Sequence, residues 1–138
     1  MISKKELKYI SSLNLKKFRN ENKKYLVEGK RLIIEGLKAG LITDIYYCPE
    51  KCSFNNFSKI KPYLNSQINT KEIEEKIFNI FSDTVTSQGL IGIASINTPK
   101  FENCIKSSFN WIYLDKDKDP GNLGAILRSA EWFGVKNI

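Results

Sequence analysis

With 138 residues, 41% of them hydrophobic, and a formal net charge of +7, the chain can fill one ordinary domain, or a small domain with part of another, and its positive charge favours an anionic partner. It contains no histidine, which excludes hydrolases built on a histidine base, histidine-ligated zinc and histidine pH switches. The three cysteines, Cys48, Cys52 and Cys104, form an odd set without metal-pair spacing, so reduced thiols and no metal site are expected.

In chain order, residues 4–17 carry Leu7, Ile10 and Leu13 at helical spacing amid lysines, which predicts a short amphipathic helix with a basic polar face. No apolar run reaches membrane-spanning length and the first residues lead into this charged helix, so a soluble, cytoplasmic protein is expected. Lys16, Lys17, Arg19, Lys23 and Lys24 then crowd a predicted loop around Phe18. Residues 1–40 hold eleven Lys or Arg against four Asp or Glu, whereas residues 41–138 hold eleven of each, so the whole excess charge sits at the start. A solvated charge run is the plain reading of such a cluster; the neutrality of the remainder favours phosphate contact.

Residues 25–28 read as a short strand, Gly29 as a turn, and residues 30–39 as a helix with Leu32, Ile33 and Leu37 inward and Gly40 as its stop. Residues 44–48 predict a second strand closed by Pro49. Phe54, Phe57, Ile60 and Leu64 give a further helical period with Pro62 disturbing its end, and residues 66–69 suit a strand. Thr70 is the expected cap of an acidic helix over 71–77, with Glu72, Glu74 and Glu75 near its positive end. Residues 89–96 are apolar enough for a buried central strand, and the alternation of strands and helices predicts a three-layer α/β/α sandwich.

Past residue 97 a Thr-Pro pair and polar residues break the periodicity. This predicts a domain over 1–98, a linker over 99–108 and a second segment over 109–138. The second segment reads as a strand over 109–114, a turn at Pro120 and Gly121, and a helix over 123–133. On that helix Leu123, Ile126, Leu127, Ala130 and Phe133 form a stripe expected to pack on a sheet. Gly124 and Arg128, one turn apart, share the opposite face. A glycine in front of an arginine leaves room for a bulky group to reach the guanidinium, and Asn122 adds an amide donor and acceptor beside it. The turn is expected to set Asn122 and Arg128 at the carboxyl edge of a parallel sheet, where ligands of open α/β sheets bind. The alternative is that Asn122 caps the helix and Arg128 is merely solvated. A phosphate-loop reading lacks the Walker lysine and the fuller glycine pattern of dinucleotide folds.

Three ordered segments carry a family resemblance: FRNENKKYLVEGKRLIIEGL, FSDTVTSQGLIGIA and LDKDKDPGNLGAILRSAEWFGVKNI. The last resembles the first motif of the SpoU/TrmH RNA 2′-O-ribose methyltransferases of the SPOUT superfamily. The first two resemble that family's substrate-binding domain, whose fold is like ribosomal protein L30e. The resemblance implies an L30e-like three-layer α/β/α sandwich followed by the first βα unit of a trefoil-knot domain. It also implies methyl transfer from S-adenosylmethionine to a ribose 2′-hydroxyl of structured RNA, with ribosomal RNA favoured, by a homodimer.

Asn122 and Arg128 match the motif's catalytic asparagine and arginine. Lys16, Lys17, Arg19, Lys23 and Lys24 are expected to contact RNA, with Thr86 and Gln88 of the Thr-x-Gln-Gly loop near the same face. Ordinary turn chemistry is the alternative for that pair, and Phe18 fits the core or a stacked base. The segments that supply the methyl-donor loops lie beyond the motif, so the resemblance implies a truncated chain with no cofactor-binding residues and no activity alone. The rival expectation is a non-enzymatic RNA-binding module in which Asn122 and Arg128 are incidental. Residues 119–138, lacking a full sheet, are expected to fray or dock on a neighbour.

Overall fold

In the computed structural model, which describes residues 2–82, 84, 86–98, 110–116, 119–135 and 137–138, the chain forms two units, Met1–Asn97 and Thr98–Ile138. The expected linker, Cys104 and Phe109 lie outside the described residues. The first unit is built on four strands, β1 Lys24–Glu28, β2 Ile42–Tyr47, β3 Asn69–Glu72 and β4 Leu90–Ser95, in the sheet order β1-β4-β2-β3. β4 is central as expected and runs antiparallel to β1 and β2, while β3 pairs parallel with β2 at the edge.

Strand alternation divides the apolar residues between two faces. Ile91 and Ile93 enter one core, Leu90 and Ala94 the other. Helices α1 (Lys4–Ser12) and α5 (Glu75–Phe81) cover the first face with Ile10, Phe78 and Phe81; α3 (Lys30–Lys38) and α4 (Phe54–Ile60) cover the second with Ile33 and Ile60. The expected three-layer sandwich is present. A register shift between Ile42 and Asp44 lets Ile42 and Ile45, an odd number of residues apart, share the second core. Two glycines lie where helix α3 meets the sheet: a Cβ on Gly36 would lie 2.9 Å from Ile42 Cδ1, and one on Gly92 3.4 Å from Ile33 Cγ1.

Four local expectations change. The first helix stops at Ser12, and the basic residues expected in a loop form helix α2, Lys16–Asn22. Burial of Ile10 and Leu13 turns the chain there, and Arg19 Nη1 donates to the Leu13 carbonyl at 3.1 Å and the Asn14 carbonyl at 2.7 Å, satisfying acceptors just past the helix end. Thr70, expected as a helix cap, lies in β3 opposite Ile45, and α5 begins only at Glu75. Residues 66–69 are mostly turn, with the strand starting at Asn69. Leu32, 57% exposed, points outward although its spacing placed it inside, and Phe54, which opens the expected helical period, is 89% exposed.

One polar cluster clamps α1 to the sheet. Tyr46 Oη donates to Glu6 Oε1 at 2.8 Å, and Lys71 Nζ donates to the same oxygen at 2.7 Å. Burial pushes the Glu6 carboxyl up, but the hydrogen bonds from Lys71 and Tyr46 and the ammonium charge outweigh it and hold the group below its ordinary value. A carboxyl depressed by folding contributes stability that is fully present above its unfolded value and is lost as pH falls through the folded one. Acid titration of unfolding should therefore show a loss of stability below about pH 4.5 that is smaller in Glu6→Gln; identical acid limbs would remove the clamp from the account. Burial likewise pushes the Cys48 and Cys52 thiols up, so both stay protonated and poorly nucleophilic. Among the described residues no helix is long and apolar enough to cross a membrane.

In the second unit, helix α6 spans Pro120–Trp132 and starts three residues earlier than expected. Asp119 caps it through Oδ1, which accepts from the Asn122 N–H at 2.8 Å, and Pro120 occupies the first helical position, where its missing donor costs nothing. The helix closes on Gly134, with Gly134 N–H donating to the Glu131 carbonyl at 3.1 Å and Val135 N–H to the Ala130 carbonyl at 2.8 Å, the paired bonds of a Schellman ending. A strand is expected over 109–114; among the described residues 110–114, one parallel bridge joins Trp111 to Asn137. The stripe on α6 correspondingly buries Ala130 alone. Leu123, Leu127 and Phe133 stay exposed, and the first two line an open groove of about 860 Å³ with Trp111, Ile112, Tyr113 and Leu114.

Candidate functional site

The basic residues at the start of the chain divide by what they already hold. Lys16 and Lys17 project from α2 into solvent, with Lys17 Nζ only 4.0 Å from Glu21 Oε1 one turn on, a weak exposed pair. Lys23 ends the same helix in the left-handed region and is exposed. Arg19 is committed to the carbonyls beyond α1. Lys24 is part-buried: its ammonium donates to Thr43 Oγ1 at 3.1 Å and lies 3.9 Å from Asp44 Oδ2. Lys16, Lys17 and Lys23 are therefore the three cations of this set that solvent can reach without breaking a short intramolecular contact. Phe18 is half-buried, with Lys17 Nζ 5.9 Å from its ring centre.

Thr86 and Gln88 are not beside them. Gln88 reaches the opposite end of β1, where its Oε1 accepts from the Lys30 N–H at 2.9 Å. Since Gly29 precedes α3 and has no side chain to cap it, the distant glutamine supplies the acceptor. From Lys24 to Gly29 the strand runs roughly 17 Å at its normal rise, so the two groups cannot hold the same phosphate. Thr86 is exposed in the adjoining turn. Nearby, the Ser82 and Thr84 hydroxyls donate to Glu28 Oε1 at 2.7 and 2.6 Å, and Lys30 Nζ donates to Asn56 Oδ1 at 3.2 Å. These contacts, spanning 26 to 58 positions of sequence, stitch the Thr-x-Gln-Gly loop and α4 to the end of β1, and no local pattern announces them.

In the second unit Asn122 and Arg128 both lie exposed on α6. Their backbones are about 9 Å apart along the axis and about 120° apart around it, from 1.5 Å and 100° per residue, and no hydrogen bond joins them. They do not form a preformed pair; a ligand would have to bridge them. The expected relation of Gly124 to Arg128 is present: a Cβ on Gly124 would sit 3.3 Å from Arg128 Nη1, so the guanidinium lies over the bare glycine. Asn122 is inside the first turn, and the cap is Asp119. The amide side chain is thus left for another partner.

The family model described as the MRM3-like substrate binding domain matches residues 4–92. Among characterised proteins, the mitochondrial rRNA methyltransferase 3 of Homo sapiens is 32% identical over 130 residues, covering 88% of this chain and 29% of that protein. The 23S rRNA (guanosine(2553)-2′-O)-methyltransferase RlmP of Bacillus subtilis (strain 168) is 27% identical over 127 residues, covering 91% of this chain and 47% of RlmP. The chain thus spans about a third to a half of the length of these relatives. The SpoU methyltransferase AviRb of Streptomyces viridochromogenes, solved with the cofactor AdoMet, superposes with a TM-score of 0.77 at 14% identity, over 97% of this chain and 51% of AviRb. That likeness shows a shared α/β fold.

Proposed function

The chain belongs to the MRM3-like substrate-binding domain family, and from that membership we propose that it is the RNA-binding domain and first motif of an S-adenosylmethionine-dependent ribosomal RNA 2′-O-ribose methyltransferase. The names of its relatives support ribosomal RNA as the substrate. Cytoplasmic action as a homodimer belongs to the same reading. The observation that carries the catalytic part is the exposed guanidinium of Arg128 resting over Gly124, with the Asn122 amide uncommitted in the same helix.

An arginine side chain keeps its proton in water and makes a poor base. Arg128 therefore holds the phosphate next to the target ribose and stabilises the alkoxide that develops on the 2′ oxygen, while that phosphate or solvent receives the proton. Asn122 orients the ribose by its amide. S-adenosylmethionine supplies an electrophilic methyl group. The described residues of the second unit do not fit that donor: the groove beside α6 is lined by Trp111, Ile112, Tyr113, Leu114, Leu123, Leu127 and Ile138, which offer no charged side chain to a sulfonium, an ammonium or a carboxylate.

On the first unit, Lys16, Lys17 and Lys23 carry phosphate contact, with Arg19 and Lys24 behind them adding field more than direct bonds. The affinity of this chain for ribosomal RNA fragments should fall steeply with salt. Lys16→Ala with Lys17→Ala should lower the log–log slope by about 1.4 to 1.8, for about 0.7 to 0.9 per lost phosphate contact. Filter binding or fluorescence anisotropy from low to physiological salt measures it, and a flat response in the unmodified chain would sink the RNA-binding reading.

A further inference from the structure

We propose that a cleft between the end of β2 and the start of α4 takes one unpaired base of the RNA; this rests on the reading of the chain as an RNA binder. Tyr47, Pro49, Cys52, Phe54 and Phe57 line an open cavity of about 360 Å³, within the range of small-ligand sites. The Tyr47 and Phe57 rings stand 4.6 Å apart between centres and tilted by 44°. Tyr47 Oη donates to Glu72 Oε2 at 3.0 Å, which ties down the far end of its ring. The floor is fixed by Cys52, whose backbone lies so close to Gly89 that a Cβ there would come within 2.4 Å of Cys52 N.

Phe54 sits at the rim with 89% of its surface in water. It is the first residue of α4, held by the cap at Ser53, whose Oγ accepts from the Asn56 N–H at 3.3 Å. An aromatic face left in solvent beside two further rings suits a flat apolar partner with a polar edge. The surrounding charge selects among such partners. Lys51 is paired with Glu75 at 3.3 Å and Glu72 holds the Tyr47 hydroxyl, so within residues 48–63 the exposed Lys59 and Lys61 are the cations left to meet a phosphate, with Glu50 the acid of that stretch. Aromatic faces flanked by lysines hold single-stranded nucleic acid, the ring stacking on a base and the ammonium groups meeting its phosphates. A paired helix hides its base faces, so the partner is a loop or a bulge. The Thr86–Gln88 turn lies at this same end of the sheet, through the contact of Gly89 with Cys52.

The test uses this chain, an RNA hairpin with 2-aminopurine in its loop, and a fully paired RNA of equal length. Binding should quench the loop fluorophore. Phe54→Ala should weaken hairpin binding about tenfold and abolish the quench, as expected for the loss of one stacked base. The same variant should leave duplex affinity and the salt slope unchanged, and Phe54→Tyr should behave as the parent. Because Phe54 is exposed, neither change threatens the core. If the parent binds the hairpin with the steep salt dependence expected above while Phe54→Ala binds it equally well and quenches equally, the base pocket is overturned and the RNA reading stands. If the parent binds neither RNA, both fall together. A concentration-dependent dimer abolished by Phe54→Ala, with hairpin binding intact, would assign the cleft to a second copy and overturn the proposal.

Discussion

Arg128→Lys, made in an enzyme that contains this segment, is expected to lower turnover by about 10²- to 10³-fold while leaving RNA affinity within about twofold. A guanidinium can face a phosphate oxygen and a developing alkoxide with two donors in one plane, and an ammonium, although equally charged, cannot span both. On the proposed reading, long-range attraction of RNA rests on the lysines of the first unit, so binding and chemistry should separate. Gly124→Ala gives a second reading of the same arrangement. Its new methyl would lie 3.3 Å from Arg128 Nη1 and push the guanidinium aside by a few tenths of an ångström. The same change replaces a helical glycine and should stabilise α6 by about 1 kcal/mol. Turnover should therefore fall as stability rises. Methyl incorporation into RNA under single-turnover conditions, beside RNA binding, measures both, and full turnover by Arg128→Lys would remove Arg128 from the chemistry.

Gly89→Ala should be the most damaging single change in the first unit, at about 3–5 kcal/mol. Two causes act together. The residue sits at φ +68°, in the left-handed region where a side chain costs about 1–2 kcal/mol. In addition, a Cβ would fall 2.4 Å from Cys52 N, 2.7 Å from Lys51 C and 2.8 Å from Cys52 Cα, all backbone atoms that cannot rotate away. Gly40→Ala is the matched control: its φ is +66°, but nothing lies within 4 Å of the added carbon, so only the conformational cost applies. In thermal unfolding followed by circular dichroism, Gly89→Ala should melt at least about 15 °C below the parent and Gly40→Ala about 5–10 °C below. Equal shifts would mean that the turn from Cys48 to Cys52 yields, and that its packing on Gly89 contributes little.

Much of the fold was legible because apolar residues reported it. The run from Leu90 to Ala94, buried on both faces, read as a central strand, and Ile33 in α3 read as inward. β3 was expected three residues early, with its end read as the start of a helix, for a physical reason. All four of its residues, Asn69, Thr70, Lys71 and Glu72, are polar and exposed, so no alternation marks it. It is held by pairing with β2 and by side chains that meet Asp44, Glu6 and Tyr47, partners 25 to 65 positions away. The exposure of Phe54 was not legible for the same reason. Its helical spacing from Phe57 is real, but α4 begins there, at the end of the layer, where nothing covers the ring.

The candidate site divides along the same line. The three-segment pattern with Asn122, Gly124 and Arg128 was visible as sequence because these residues lie within two turns of one helix, and local spacing is what a chain encodes directly. That Lys16, Lys17 and Lys23 stand free while Arg19 and Lys24 are held, and that Gln88 caps a helix 58 positions away, depended on where the sheet brings distant segments. Composition and periodicity thus determined the layers, the central strand and the surplus of positive charge, and the resemblance of three ordered segments pointed to the family. Tertiary packing alone decided which cations face water, which polar segment became a strand and which aromatic ring stayed outside, because each depends on long-range neighbours whose contacts leave no period in the sequence.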